Sequence, residues 1–478
     1  MHTTVRKWGF LLLSAGVLFP VQSAMIKPNP IISRGTGVVV KVSGGDVTGI
    51  NDHKFGQYDT KKWTVSDNSW IALKLASGPT KIFFTFNCPD TSWSDSIGLS
   101  ADSCKKTVLY PVDYDILTSK NSTTGADGDW SPGVSIKGNT VTARGHLVDF
   151  TGATWVKMAI TKGKGLIDEI EVFDASNGAE DTWFFLGTKF TALMLKGPKG
   201  SGLGADKSPP DSDFASMVTL RNSTFTPAMI RGGINCKVMS GDVVRDISKY
   251  LAVEGNVHFW AIELGRYDSW GGTNDNVAEF TKNLQIIIDS CKAHSIQPVI
   301  ATIPSTTKGS KANPAASWQV HNDFLKAIDS LTKKNKLLPG VDLYWYFTHG
   351  PKGYETTGYM DLDASGTLPN QYGDFEAQRE WAKKMDSVVY KAPPVGIAVS
   401  HAALSRATAH FTIQSHGGSL TLSATEPGTV TFFSTDGRII SEMQILKSGT
   451  VARMQTAGCY LVKFSSANGS ATKRIVSY

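Results

Sequence analysis

The chain has 478 residues, 41% of them hydrophobic and 19% charged, with a formal charge of +6. That balance excludes a disordered or coiled-coil chain, and the length suggests about three domains, each able to bury a core. The modest positive charge, without a basic stripe interleaved with aromatics, excludes a dedicated nucleic-acid binder.

Arg6 and Lys7 precede the apolar run Trp8 to Pro20, and Val21 to Ala24 supply small residues for cleavage. This layout predicts a signal peptide over residues 1–24. The run is shorter than the ~18 apolar residues of a membrane helix, and no later segment reaches that length. A secreted or cell-surface protein without a transmembrane segment is therefore expected. In an oxidising compartment Cys88 and Cys104, which flank one loop-like stretch, are expected to form a disulfide. Cys236, Cys291 and Cys459 complete the set. No spacing among the five resembles a zinc site, so no metal ligands are assigned.

Residues 25–180 read as short strands separated by turns: Gly37 to Val42, Trp70 to Leu75, Lys81 to Phe86, Tyr114 to Leu117, Thr140 to Ala143, Thr154 to Ile160 and Ile167 to Val172. The pattern predicts an antiparallel β-sandwich. Asn51-Asp52, Trp63, Trp70 to Leu75 and Ile167 to Val172 resemble the galactose-binding-like, discoidin-type jelly roll. The resemblance implies a sugar-binding module, in which Trp63, Trp93 and Trp130 are the candidate contacts. No cofactor is expected, and a structural calcium in the jelly roll stays open.

Residues 181–392 change period. Trp183 to Leu186, His258 to Leu264, Pro298 to Thr302 and Val341 to Tyr344 read as buried strands, alternating with helical spacing over Val277 to Ala293 and Val320 to Leu331. A closing helix is predicted over Phe375 to Tyr390. The alternation predicts a flavodoxin-like α/β domain with a parallel sheet, whose ligand site lies beyond the strand C-termini.

Three short blocks and a fourth near the end of this domain resemble those of SGNH (GDSL-type) hydrolases. Gly187-Thr188-Lys189-Phe190-Thr191 stands where that family has Gly-Asp-Ser, so Lys189 occupies the nucleophile position. Arg231 to Asn235 resembles the second block, with Gly233 at the oxyanion-hole glycine. In Gly265-Arg266-Tyr267-Asp268, Tyr267 takes the place of the oxyanion-binding asparagine. In Ser365-Gly-Thr-Leu368-Pro369, Ser365 and Leu368 take the places of the acid and the histidine base. A lysine ammonium cannot serve as the serine does in acyl transfer, and loss of one oxyanion donor alone costs roughly 10²- to 10³-fold in rate. A shifted register drawing on Ser240, His321 or His349 with Asp361 or Asp363 would have to rebuild the geometry. The four replacements predict a degenerate, non-catalytic cleft, in which Tyr267, Trp270 and Trp345 are candidates for packing on sugar faces.

Residues 393–409 read as a linker and 410–478 as a small β module resembling the C-terminal sorting domains of type IX secretion substrates and, equally, the terminal modules of Fibrobacter-type cell-wall enzymes. After Glu442 it has no acidic residue, whereas Lys447, Arg453, Lys463, Lys473 and Arg474 are basic. A partner in secretion machinery or cell-surface attachment is implied. The expected function is binding of plant cell-wall polysaccharide such as cellulose or xylan. The alternative is an active carbohydrate (acetyl) esterase with a non-standard nucleophile.

Overall fold

In strand Lys81–Asn87 every residue after the lysine is buried, although its sequence, KIFFTFN, carries polar positions. A strand buried on both faces must lie between two layers, and this one does. Ile82, Phe84 and Phe86 enter one core with Ile71, Leu73, Ile116, Val156 and Met158. On the other side Phe83 enters a second core with Phe184 and Ile230.

The computed structural model describes residues 26–44, 47, 50–53, 62–76, 78–88, 110–195, 213–234, 238–305, 320–350 and 368–390, together with seven strands between 411 and 477 and residue 427. The chain divides into two compact units, residues 1–391 and 392–478.

Two antiparallel sheets open the first unit. Five strands lie in the order Val39–Val42, Trp70–Lys74, Trp155–Gly163, Pro111–Ser119 and Ser131–Ile136, and three in the order Glu169–Asp174, Lys81–Asn87 and Ala143–Asp149. The two sheets enclose a common core and form a β-sandwich. The strand expected at Thr140 to Ala143 instead starts at Ala143 and runs to Asp149. Arg144 and His146 interrupt its apolar alternation. His146 is nonetheless buried, its Nε2 2.9 Å from the Tyr114 hydroxyl, and burial pushes its pKa down to about 3, so the ring is neutral.

The parallel sheet follows, in the order Ala228–Gly233, Thr182–Gly187, Phe259–Glu263 and Gln297–Ile300. Numbered along the chain this is 2-1-3-4, the flavodoxin-like order, with an isolated parallel bridge from Ile300 to Pro339 at its edge. Helix Val277–Ala293 runs as the periodicity predicts and buries Phe280, Leu284, Ile287 and Ile288. The apolar run Val341 to Tyr344 is not a strand. Asp342 accepts from the Trp345 amide and starts helix Leu343–His349, because an aspartate N-cap satisfies a first-turn amide that a short strand would leave to a sheet neighbour. The closing helix spans Gln371–Val388, four residues earlier at its start than expected.

A buried charge cluster ties the sandwich to the α/β part. His53 lies 2.6 Å from Glu171 through Nδ1 and 3.2 Å from Asp213 through Nε2. Glu171 belongs to strand Glu169–Asp174, whereas Asp213 caps helix Phe214–Arg221. Arg34 pairs with Glu171 and lies 3.6 Å from Glu169.

The second unit is antiparallel throughout. Strands Phe411–His416, Ser419–Ala424 and Val451–Gln455 form one sheet, and Ile439–Ile445, Gly428–Ser434, Gly458–Ser466 and Gly469–Ser477 form another. Val430, Phe432 and Phe464 are buried there.

Candidate functional site

Strand register brings three of the four sequence blocks to one line. Gly187, the last residue of the first parallel strand, is the partner of Gly233 on one side and of Glu263 on the other. These are the C-terminal ends of strands 1, 2 and 3, and the gap between strands 1 and 3 is the topological switch point at which ligands of such sheets bind. Gly233 has no room for a side chain, since a Cβ there would collide with the Ala192 backbone. Helix Lys189–Met194 therefore sits directly on the second strand.

Thr188 caps that helix, its side chain accepting from the Phe190 amide at 3.3 Å, so Lys189 is the first helical residue. Lys189 is half-buried.

Glu263 fills the base of this region. Its Oε2 accepts from the Thr188 hydroxyl at 2.8 Å, the Thr191 hydroxyl at 2.9 Å and the Thr188 amide at 3.3 Å. Burial raises its pKa, against the pull of those bonds and of nearby Arg266. Sequence reasoning missed Glu263. The available signal was an acid ending an otherwise apolar strand, Phe259–Glu263, where a charge survives burial only with dedicated partners.

The third block turns on Gly265, whose φ of +105° suits glycine, and a Cβ there would meet Ile303 and Phe280. Asp268 accepts from the Ser240 hydroxyl at 2.5 Å and from its amide, while Asn283 donates to the Ser240 hydroxyl at 3.1 Å. Ser240 is thus a fully buried helix-start residue, which is a structural use of its hydroxyl. Tyr267 is buried and its ring stacks on Trp270 at 5.8 Å and 9°. Burial raises the Tyr267 pKa.

The tryptophan candidates separate. Trp270 and Trp345 are exposed, at 41% and 51%. Trp63 corrects the expectation of a loop contact. It lies in strand Trp63–Val65, paired with Ile167, and at 2% exposure it belongs to the sandwich core. Trp130 is half-buried, with its indole N–H donating to the Asp127 carbonyl and its ring 3.7 Å from Lys157 Nζ. Trp70 holds the same ammonium at 4.8 Å. Trp93, Ser365, Cys104, Asp361 and Asp363 lie outside the described residues, as does the signal segment. Leu368 is half-buried just before the closing helix. Cys88 is buried at the end of strand Lys81–Asn87. His321 caps helix Asn322–Lys334, and His349 ends helix Leu343–His349.

No protein-family model matches the chain, and no curated protein does. Among solved structures it is similar to a lipase/acylhydrolase from Enterococcus faecalis, at 18% identity over 43% of this chain and 95% of that one, with a TM-score of 0.33. An acetylxylan esterase from Geobacillus stearothermophilus matches at 13% identity over 44% of this chain and 95% of that one, with a TM-score of 0.33. A chitosan-binding module of a chitosanase/glucanase from Paenibacillus sp. IK-5 matches at 17% identity over 28% of this chain and 95% of that one, with a TM-score of 0.21. All three scores are below 0.5, and the functional reading rests on this chain's own residues.

Among the described residues no group of three or more His, Cys, Asp or Glu side chains could hold a metal ion. Nor is any described helix long and apolar enough to cross a membrane.

Proposed function

We propose that the chain is an exported polysaccharide-binding protein whose α/β part is an SGNH-type hydrolase domain with its reacting groups replaced. The observation that carries this reading is the environment of Lys189. It is the first residue of the helix that follows the first parallel strand, next to the switch point between Gly187 and Glu263. A nucleophile there would need a base within hydrogen-bond reach and donors aimed at the oxyanion. The Thr188 and Thr191 hydroxyls beside it are instead committed to one carboxylate oxygen, Oε2 of Glu263. Tyr267, in place of an amide donor, spends its face on Trp270.

Binding requires less than catalysis: apolar area and a few fixed polar groups. Trp270, backed by the buried Tyr267 ring, and the exposed Trp345 provide aromatic area at the α/β part, and indole rings suit the apolar faces of sugars; the burial of Tyr267 removes it as a sugar contact. The β-sandwich is the second binding element, and the C-terminal module the attachment or sorting element. Pull-down of the full chain on insoluble cellulose and on xylan tests the reading. Retention in the pellet of either, reduced for Trp270→Ala, is the expected result. Recovery of all the protein in both supernatants would overturn it.

A further inference from the structure

The β-sandwich has a cleft of about 580 Å³ at its edge, between the hairpin Pro111–Ser119/Ser131–Ile136 and the end of strand Ala143–Asp149. Its volume falls in the range of small-molecule sites, roughly 300 to 1,000 Å³. Lys120, Asn121, Asp129 and Ser131 line one side, Asp149 and Thr151 the other. The two sheets meet closely at Gly133, where a Cβ would collide with Val148.

The hairpin loop that contributes Lys120, Asn121 and Asp129 to the lining is tied by its own hydrogen bonds. Asp127 accepts from the Ser122 hydroxyl at 2.9 Å, the Thr123 amide at 2.9 Å and the Thr124 amide and hydroxyl at 2.8 Å. Trp130 clamps the same loop through its N–H to Asp127 and its ring on Lys157. Within the lining, Asn121 donates to Asp129 at 2.9 Å and accepts from its amide at 2.8 Å. Opposite, the Asp149 carboxylate is set by the Thr151 amide at 2.9 Å. Each carboxylate therefore keeps acceptor capacity while its position is fixed, which lowers the cost of ordering on binding.

We infer that this cleft binds a short stretch of an uncharged, hydroxyl-rich saccharide chain. Carboxylates accept from sugar hydroxyls and the Lys120 ammonium donates to them, as charge-assisted hydrogen bonds. Lys120 and Lys81 both act on Asp149, so the cations at this cleft are already offset by carboxylates, which favours an uncharged chain over a uronate polymer. In this account Trp130 is a positioning residue that holds the loop. The inference rests on the polysaccharide-binding reading and adds the place and the ligand class.

Affinity electrophoresis of the full chain, in gels containing hydroxyethyl-cellulose, xylan or polygalacturonate and normalised to a polymer-free gel, tests it. The expected result is retardation by a neutral polymer and none by polygalacturonate. Asp129→Ala and Asp149→Ala should each weaken retardation about tenfold, the loss of one charge-assisted contact. Ser131→Phe fills the cleft at an exposed edge position without removing a described side-chain hydrogen bond, and should weaken retardation at least as much as either alanine variant, with an unchanged melting temperature. If the neutral polymers retard wild type and all three variants alike, the cleft assignment is wrong and the binding reading stands. Stronger retardation by polygalacturonate would also overturn the assignment. No retardation of wild type by any polymer would overturn both.

Discussion

Thr188 and Glu263, 75 residues apart in sequence, share a buried 2.8 Å hydrogen bond at the switch point of the parallel sheet. Thr191 adds a second hydroxyl to the same carboxylate oxygen. Removing either hydroxyl leaves a buried acidic group short of a donor, so Thr188→Val and Thr191→Val should each destabilise the chain by about 1.5 to 3 kcal/mol. Because both act on one oxygen, the double variant should depart from the sum of the two. Urea denaturation of the three variants checks this, and single losses below about 0.5 kcal/mol would show that the cluster is not structural.

The His53 cluster predicts a pH dependence at the opposite end of the scale from most carboxylates. Burial alone would lower the His53 pKa, but the Asp213 and Glu171 carboxylates outweigh it and raise the pKa from 6.5 to about 10. A raised folded pKa stabilises fully below the unfolded value, so this contribution is complete below about pH 6.5 and is lost as the pH rises toward 10. Burial works against ionisation of Asp213 as well, yet His53 holds its carboxyl at about 2 rather than 3.8, so its contribution fades only as the pH falls from about 3.8 through 2. His53→Gln should lower stability at pH 6 by about 1 to 3 kcal/mol, since it removes the charge shared by Asp213 and Glu171 while Arg34 still pairs with Glu171. The difference from wild type should shrink steadily between pH 6.5 and 10. A difference that is constant over that range would contradict the assignment of charge.

Cys88 and Cys104 are expected to be joined once the chain meets an oxidising compartment. The bond would close a loop whose stabilisation is about 3 kcal/mol in the loop-entropy model. Mapping of peptides from non-reduced protein decides it: a linked pair is the expected species, and two free thiols would refute the bond.

What the sequence conveyed follows from the strength of each signal. The uninterrupted apolar runs Trp183 to Leu186 and Phe259 to Ile262, and the helical period over Val277 to Ala293, made the parallel sheet and a covering helix legible. Val341 to Tyr344 misled because a short apolar run has no period of its own, and only the Asp342 cap distinguishes it as a helix start. In the sandwich, the edge strand Ser131–Ile136 contains Pro132 and Gly133, which read as turn residues. Trp63 looked like a loop residue since polar residues precede it, yet pairing with Ile167 carries it inward. At the site, the blocks were visible as residue types. The Glu263 cluster was not, because it depends on which strand ends are neighbours across 75 residues.

The tryptophans give a contrast that separates core from surface. Trp63→Ala should cost about 3 to 5 kcal/mol of stability, the usual loss for a large buried aromatic. Trp270→Ala should change stability far less, because much of its ring faces solvent. Thermal unfolding of both variants, run beside the cellulose and xylan pull-down, should show a lower melting temperature for the first and lower retention for the second. The reverse pattern would remove Trp270 as a contact and Trp63 as a core residue.

Absence of ester hydrolysis is the central claim, and turnover of an activated acetate ester by the purified full chain measures it most directly. Wild type should hydrolyse the ester no faster than buffer. Lys189→Ser should not restore activity either, because Leu368, which the family resemblance puts at the position of the base, cannot accept the proton that a serine must lose. Wild-type turnover at an enzymatic rate, about 1 s⁻¹ or faster, would contradict the account.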